Sequence, residues 1–201
     1  MKKVLLTLFL VLFACQGLSA WRPRPSFGLE WGYTGTALKT WQHNYIYSSG
    51  ARIVDNDRTW RYFSNGSVLA CAGLDLGSRV NVSLYSGLIG VYSQRWMIPL
   101  ELRGRWCPSG LCSNGPLLHA GIAAAFPTAS LYETTARVNL GAGYRVNVHS
   151  AKCVDFLLSL QVCGDHESIR DPDTRYYVPA EDIFSNFAEY WALNVSVALN
   201  F

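Results

Sequence analysis

Residues 191–201 read Trp-Ala-Leu-Asn-Val-Ser-Val-Ala-Leu-Asn-Phe. Trp191, Leu193, Val195, Val197, Leu199 and Phe201 are large and apolar; Ala192, Asn194, Ser196, Ala198 and Asn200 between them are small or polar. Successive side chains of a strand point to opposite faces, so this period of two makes one face greasy and the other wet. The run ends on an aromatic residue. As a strand whose greasy face meets lipid, it has the form that ends an outer-membrane barrel, with Trp191 and Phe201 serving as an assembly signal.

The same alternation recurs upstream about seven more times. Phe27, Leu29, Trp31, Tyr33 and Ala37 make a first strand, and Val68, Ala70, Ala72, Leu74 and Leu76 a second. A less regular third runs over 82–93. The fourth sets Trp96, Ile98, Leu100 and Leu102 against Met97, Pro99, Glu101, Arg103 and Arg105, and Pro99 predicts a bulge because proline donates no ladder hydrogen bond. Strand five spans 117–125 and strand six 132–148. Val154, Phe156, Leu158, Leu160 and Val162 mark strand seven. About eight antiparallel strands, each long enough to cross a bilayer with tilt, predict an all-β, up-and-down transmembrane barrel over residues 21–201.

An even strand number puts both termini on one side. The long connections 40–66 and 165–189 are then expected outside the cell, with short turns near 78–81 and 149–152 in the periplasm. On this threading Tyr92, Trp96, Tyr132 and Trp191 form an outer aromatic girdle, and Phe27, Tyr144 and Phe201 an inner one. A soluble periplasmic β-sandwich binding module is the rival. It would need a solvated face far richer in Lys and Glu than this chain offers.

Residues 1–20 carry Lys2 and Lys3, an apolar run from Val4 to Ala14, and the close Gly17-Leu18-Ser19-Ala20. This predicts a signal peptide cleaved before Trp21, with a lipoprotein cut at Cys15 as the competing reading. Removing the two leader lysines leaves 15 basic residues against 14 acidic ones, a balance that points to no nucleic-acid partner. The remaining cations are two lysines, Lys39 and Lys152, and thirteen arginines, which suits planar pairing in confined spaces. Five cysteines remain, and in an oxidising envelope Cys107 and Cys112 are the expected bridge across the intervening turn.

The chain resembles the small outer-membrane β-barrel proteins common in Bacteroidota. The resemblance rests on the leader, on Arg95-Trp96-Met97-Ile98-Pro99-Leu100-Glu101-Leu102-Arg103 with its aromatic-x-Ile-Pro-Leu core, and on the aromatic-terminated last strand. It implies a closed barrel in the outer membrane of a Gram-negative bacterium. It implies little about chemistry, since members serve varied purposes.

Inward-facing Glu30, Asp75, Glu101, Arg103, Arg137, Arg145 and Asp155 are expected to pair in a narrow lumen, because an eight-stranded barrel has room for little else. The resulting plug competes with a narrow ion path. Trp41, Tyr45, Trp60, Tyr62, Tyr176 and Tyr177 in the long connections are candidates for recognising an extracellular ligand, alongside Arg52, Arg58, Arg61 and Arg175. The competing reading continues the strands above the membrane and packs these rings on one another.

Expected partners are outer-membrane lipid and lipopolysaccharide, the barrel assembly machinery and that ligand. Neither catalytic residue, cofactor nor metal is expected. The histidines are His43, His119, His149 and His166, and only His119 points into the lumen near Ser159 or Glu101. The His-x-Ser-Asn signature of barrel lipid A deacylases is missing, since Ala120 and Gly121 follow His119. A lipid-modifying enzyme is therefore the alternative reading. Asp165, Asp171 and Asp173 could grip calcium, but an acidic loop is ordinarily just solvated.

Overall fold

The computed structural model describes residues 23–91, 95–129, 134–149, 152–166, 169–171 and 173–201. The leader with both its cleavage readings, Tyr92, Tyr132 and the tip of the 149–152 turn lie outside these residues. Eight strands follow in order: β1 (Arg24–Ile46), β2 (Arg52–Leu76), β3 (Val80–Val91), β4 (Arg95–Trp106), β5 (Gly115–Pro127), β6 (Thr135–His149), β7 (Lys152–Asp165) and β8 (Ile183–Asn200). A 3-10 turn at Ala180–Asp182 precedes β8. Each strand pairs antiparallel with its sequence neighbours, and β8 returns to β1, so the sheet closes as an up-and-down barrel.

Closure is tight at the ends of the chain, where Phe27 and Phe201 exchange backbone hydrogen bonds of 2.8 and 3.2 Å. Paired residues can be followed once round from Gly28 through Cys71, Tyr85, Glu101, Ala123, Arg137, Cys163 and Tyr190. The path meets β1 again at Lys39 rather than at Gly28. That stagger is the shear that tilts strands in a closed barrel.

Two sequence expectations are corrected. Residues 40–66 are strand, apart from the hairpin tip. β1 and β2 run far past the end of β3, and Ser48–Gly50 join them, with Tyr47 N–H bonded to Ala51 O at 3.1 Å and Gly50 N–H to Tyr47 O at 2.8 Å. Gly50 has φ of +80°, which the last residue of such a three-residue loop requires. β8 likewise begins at Ile183, so a three-stranded sheet of β2, β1 and β8 projects beyond the barrel.

The second correction is Pro99, which sits within β4 without a bulge. Pairing with β5 passes through Pro99 opposite Ala125, and pairing with β3 resumes beyond it in unchanged register. On β3 the ladder to β4 passes over Gly87 and Leu88, and Gly87 has φ of +153°.

The outward positions are apolar on every strand. Leu29, Trp31, Val68, Leu84, Leu100, Ile122, Leu140, Leu158 and Val195 are all exposed. Phe27, Trp106, Tyr144 and Phe201 cluster toward the end bearing the termini, with Trp96 and Phe126 toward the other. The inward positions are polar through the middle of the barrel. This is a globular protein turned inside out.

Candidate functional site in the barrel interior and the projecting sheet

Alternation places every inward residue of the middle strands against the barrel axis, and side chains fill it in layers. Nearest the end bearing the termini, Cys107, Leu111, Leu117, Leu157 and Ala198 form a buried apolar cluster. Above them Asp155 anchors a charged group. Its carboxylate accepts from Arg145 Nε and Nη2, both at 2.7 Å, from Arg105 Nη1 at 2.9 Å and from Asn200 at 2.9 Å. Arg145 Nη1 also donates to Leu111 O at 2.8 Å, which ties the turn into the lumen.

A second charged group follows. Arg103 donates to Glu30 and Glu101, each at 2.6 Å, and Arg137 also pairs with Glu101. Ser196 donates to Glu30 at 3.0 Å and Asn139 to Glu101 at 3.3 Å. Tyr85 joins the two groups: the Arg103 guanidinium lies 4.0 Å from its ring centroid, and Arg105 bonds its hydroxyl. These charges are dry, with Glu101 and Asp155 at 0 % exposure. Burial on that scale is tolerated only when nearly every charge has partners.

Beyond the charges lies a larger apolar cluster of Leu69, Tyr85, Ile89, Met97, Cys163 and Tyr190, with Trp41 packed on it. Arg95 and Asp165, 2.7 Å apart, flank it. Of the expected lumen charges, Glu30, Glu101, Arg103 and Arg137 fall in one group, and Arg145 and Asp155 in the other. Asp75 stands apart and accepts from Asn81 at 2.7 Å. Arg105 and Tyr85 couple the groups; the alternation of β4 set Arg105 on the face of Glu101 and Arg103 without counting it among the pairing charges, and the irregular third strand gave no mark of Tyr85.

His119 does face Ser159, with Nε2 and Oγ 3.0 Å apart, and both are buried. The expected Cys107–Cys112 bridge is not formed. Both are free thiols, and no two cysteines among the described residues stand at bonding distance. Cys107 is buried with Leu117 and Leu157, whereas Cys112 is exposed.

The projecting sheet separates the aromatic candidates. Past an irregularity at Thr36/Leu38 the odd residues of β1 face inward. Trp41 therefore turns in and donates to Asp55 at 2.9 Å. Tyr45 is buried with Ile169 and Val178, which corrects its assignment as a surface recognition residue. Trp60, Tyr62, Tyr176 and Tyr177 are exposed, between 51 and 79 %. Arg58 lies 5.6 Å from the Trp60 ring centroid, and Arg170 lies 5.1 Å from that of Tyr177. Leu38, though outward, is buried, standing in register between Trp60 and Trp191.

Asp171 locks the last connection onto the hairpin. Its carboxylate accepts the backbone N–H groups of Ser48 at 2.8 Å, Asp173 at 2.8 Å and Thr174 at 3.0 Å. Those donors, the one from Ser48 foremost, hold its pKa down at about 2. The carboxylate is thus committed to the loop, and no cluster of metal-ligating side chains occurs among the described residues. A cleft of about 270 Å³ beside it is lined by Ile46, Asp171, Thr174, Tyr176 and Tyr177. The chain matches no described protein family, and no curated protein resembles it in sequence closely enough to count as a relative.

Proposed function

We propose that this chain is an outer-membrane barrel of the Bacteroidota type with a closed lumen, acting in surface recognition, adhesion or envelope structure through its projecting sheet and last connection. The observation that carries the reading is the exterior. Large apolar side chains cover the outward face of all eight strands, while ion pairs occupy the inside. Water is a poor solvent for such a surface and lipid a good one. The Lys2–Ala20 leader and the final aromatic strand supply the route and the assembly signal. With the termini in the periplasm, the β1–β2 hairpin and residues 166–182 stand outside the cell.

The layers inside the barrel support a plug rather than a path. Membrane fractionation and heat-modifiable gel migration test the barrel in its membrane, and a folded, monodisperse protein in plain buffer would refute it. Deleting 40–60 or 169–178 from the mature protein is expected to remove ligand binding while heat-modifiable migration persists. Binding untouched by both deletions would sink the recognition role.

A lipid-modifying enzyme has one observation in its favour, the His119–Ser159 contact. Both side chains point into the filled lumen and away from the lipid-facing surface. A mass shift in lipid A on expression in a bare host would reverse the preference.

A further inference from the structure

We propose that the outer edge of β2, Arg52–Trp60, is a docking site for an extended peptide strand of a protein partner, cationic on one face and anionic on the other. The inference rests on the recognition reading above and names the partner's form.

The edge exists because β1 and β2 outrun their neighbours. β3 pairs with β2 only from Ser67 onward, and among the described residues nothing pairs with Arg52–Trp60 on the side away from β1. Nine strand residues at roughly 3.3 Å each make an edge of about 30 Å. The far edge of the projecting sheet is not equivalent. There β7 reaches Ala188 and the His166 ring bonds Asn186 O.

The hairpin closure fixes which groups the edge offers. Tyr47 and Ala51 are a bonded pair, and bonded pairs alternate along an antiparallel ladder. Ile53, Asp55, Asp57 and Thr59 therefore spend their backbone groups on β1. Arg52, Val54, Asn56, Arg58 and Trp60 turn theirs outward. The Asp57 carboxylate accepts the Arg58 N–H at 2.7 Å, so that donor faces away from β1 and is capped, which leaves the N–H groups of Val54, Asn56 and Trp60 to a partner. An open edge is a template for strand addition, and a charge on the edge is how a protein keeps indiscriminate pairing in check.

Side chains choose the partner. The inward row next to the edge reads Ile53, Asp55, Asp57, Thr59; the outward row reads Arg52, Val54, Asn56, Arg58, Trp60. Directly opposed residues of an added strand lie on the same face, so its side chains beside Asp55 and Asp57 are Lys or Arg, and those beside Arg52 and Arg58 are Asp or Glu. A second copy of the chain fits poorly in the register that overlaps the whole edge. Two-fold pairing about Asn56 sets Asp55 against Asp57 twice, and like charges directly opposed are unfavourable.

The test uses the mature protein refolded in detergent and a ten-residue probe peptide alternating Lys with Glu or Val. A second probe has the same side chains with every other amide N-methylated. Binding is expected to protect the amide hydrogens of Val54, Asn56 and Trp60 from exchange and to fall at least tenfold with the methylated probe. Asn56→Pro deletes a donor that the β1 ladder does not use. It is expected to weaken binding at least tenfold while heat-modifiable migration persists.

Equal affinity for both probes, absence of edge protection, or unchanged binding to the Asn56→Pro protein would each overturn strand addition. If deletion of 40–60 removed binding while Asn56→Pro and methylation did not, recognition would stand and the edge mechanism would fall. Concentration-dependent dimerisation that excludes the probe would also overturn it in favour of a second copy.

Discussion

Arg103 reaches across the barrel to Glu30, 73 positions away in sequence, and donates to its carboxylate at 2.6 Å, with both side chains withdrawn from solvent. The same guanidinium holds Glu101. Arg103→Leu would leave two carboxylates buried around one fewer cation. Loss of one partner from a buried pair costs on the order of 3–5 kcal/mol, so the variant should unfold at clearly lower denaturant in micelles. Replacing Glu30 and Arg103 together by Gln and Met leaves Glu101 paired with Arg137 and should recover most of that loss. A single variant as stable as the parent would show that the group contributes nothing to the barrel.

Free thiols at Cys107 and Cys112 make a labelling pattern the expected outcome. Cys112 is exposed and should take up a water-soluble maleimide in the folded protein, whereas buried Cys107, Cys153 and Cys163 should react only after unfolding. Peptide mapping without reductant checks this directly. A linked 107–112 peptide would refute the geometry of the turn.

Asp171 gives the last connection an acid-sensitive lock. Its folded pKa is about 2 against an ordinary 3.8, so the ionised form is favoured by folding. A depressed carboxylate contributes stability that is complete above its ordinary value and lost as pH falls through the folded one. Residues 169–178 should accordingly become sensitive to pepsin as pH drops from about 4 toward 2, while gel migration stays that of the folded barrel. Asp171→Ala should show that sensitivity already at higher pH, and an Asp171→Ala loop as protected as the parent's would refute the lock.

Gly141 lies where β6 passes the His119 ring. A Cβ there would stand 2.4 Å from Leu158 O and 2.6 Å from His119 Cε1. Since one contact is backbone, Gly141→Val should strain the barrel by about 1–3 kcal/mol or more and slow its refolding, read by the rise of the heat-modifiable form. Gly104→Val, with nothing within 4 Å of its Cβ, is the matched control and should refold normally.

The barrel strands were legible because their outward face is apolar and exposed while their inward face packs a largely polar interior. Trp191–Phe201 and the residues around Leu140 show the period of two without interruption. The same physics hid the projecting sheet. Over Arg52–Trp60 the strand stands beyond the barrel wall, so Asp55, Asn56 and Asp57 break any alternation and read as a loop. Glu30, Glu101 and Arg103 could be assigned by parity, but their pairing could not, because partners 73 positions apart meet only through shear. Tyr45 looked like a surface ring since nothing in its neighbourhood announces Ile169 and Val178. The bulge expected at Pro99 did not form: the β3–β4 ladder drops its pairs at Gly87 and Leu88 and resumes in the same register, which only the pairing reveals.

The bonds between Phe27 and Phe201 join the earliest strand to the latest. Until the final segment has been made, β1 has one unsatisfied side and β7 another, and no partial product can seal itself. A chain lacking β8 would keep two open flanks, on β1 and on β7, each a template for strand addition from another chain.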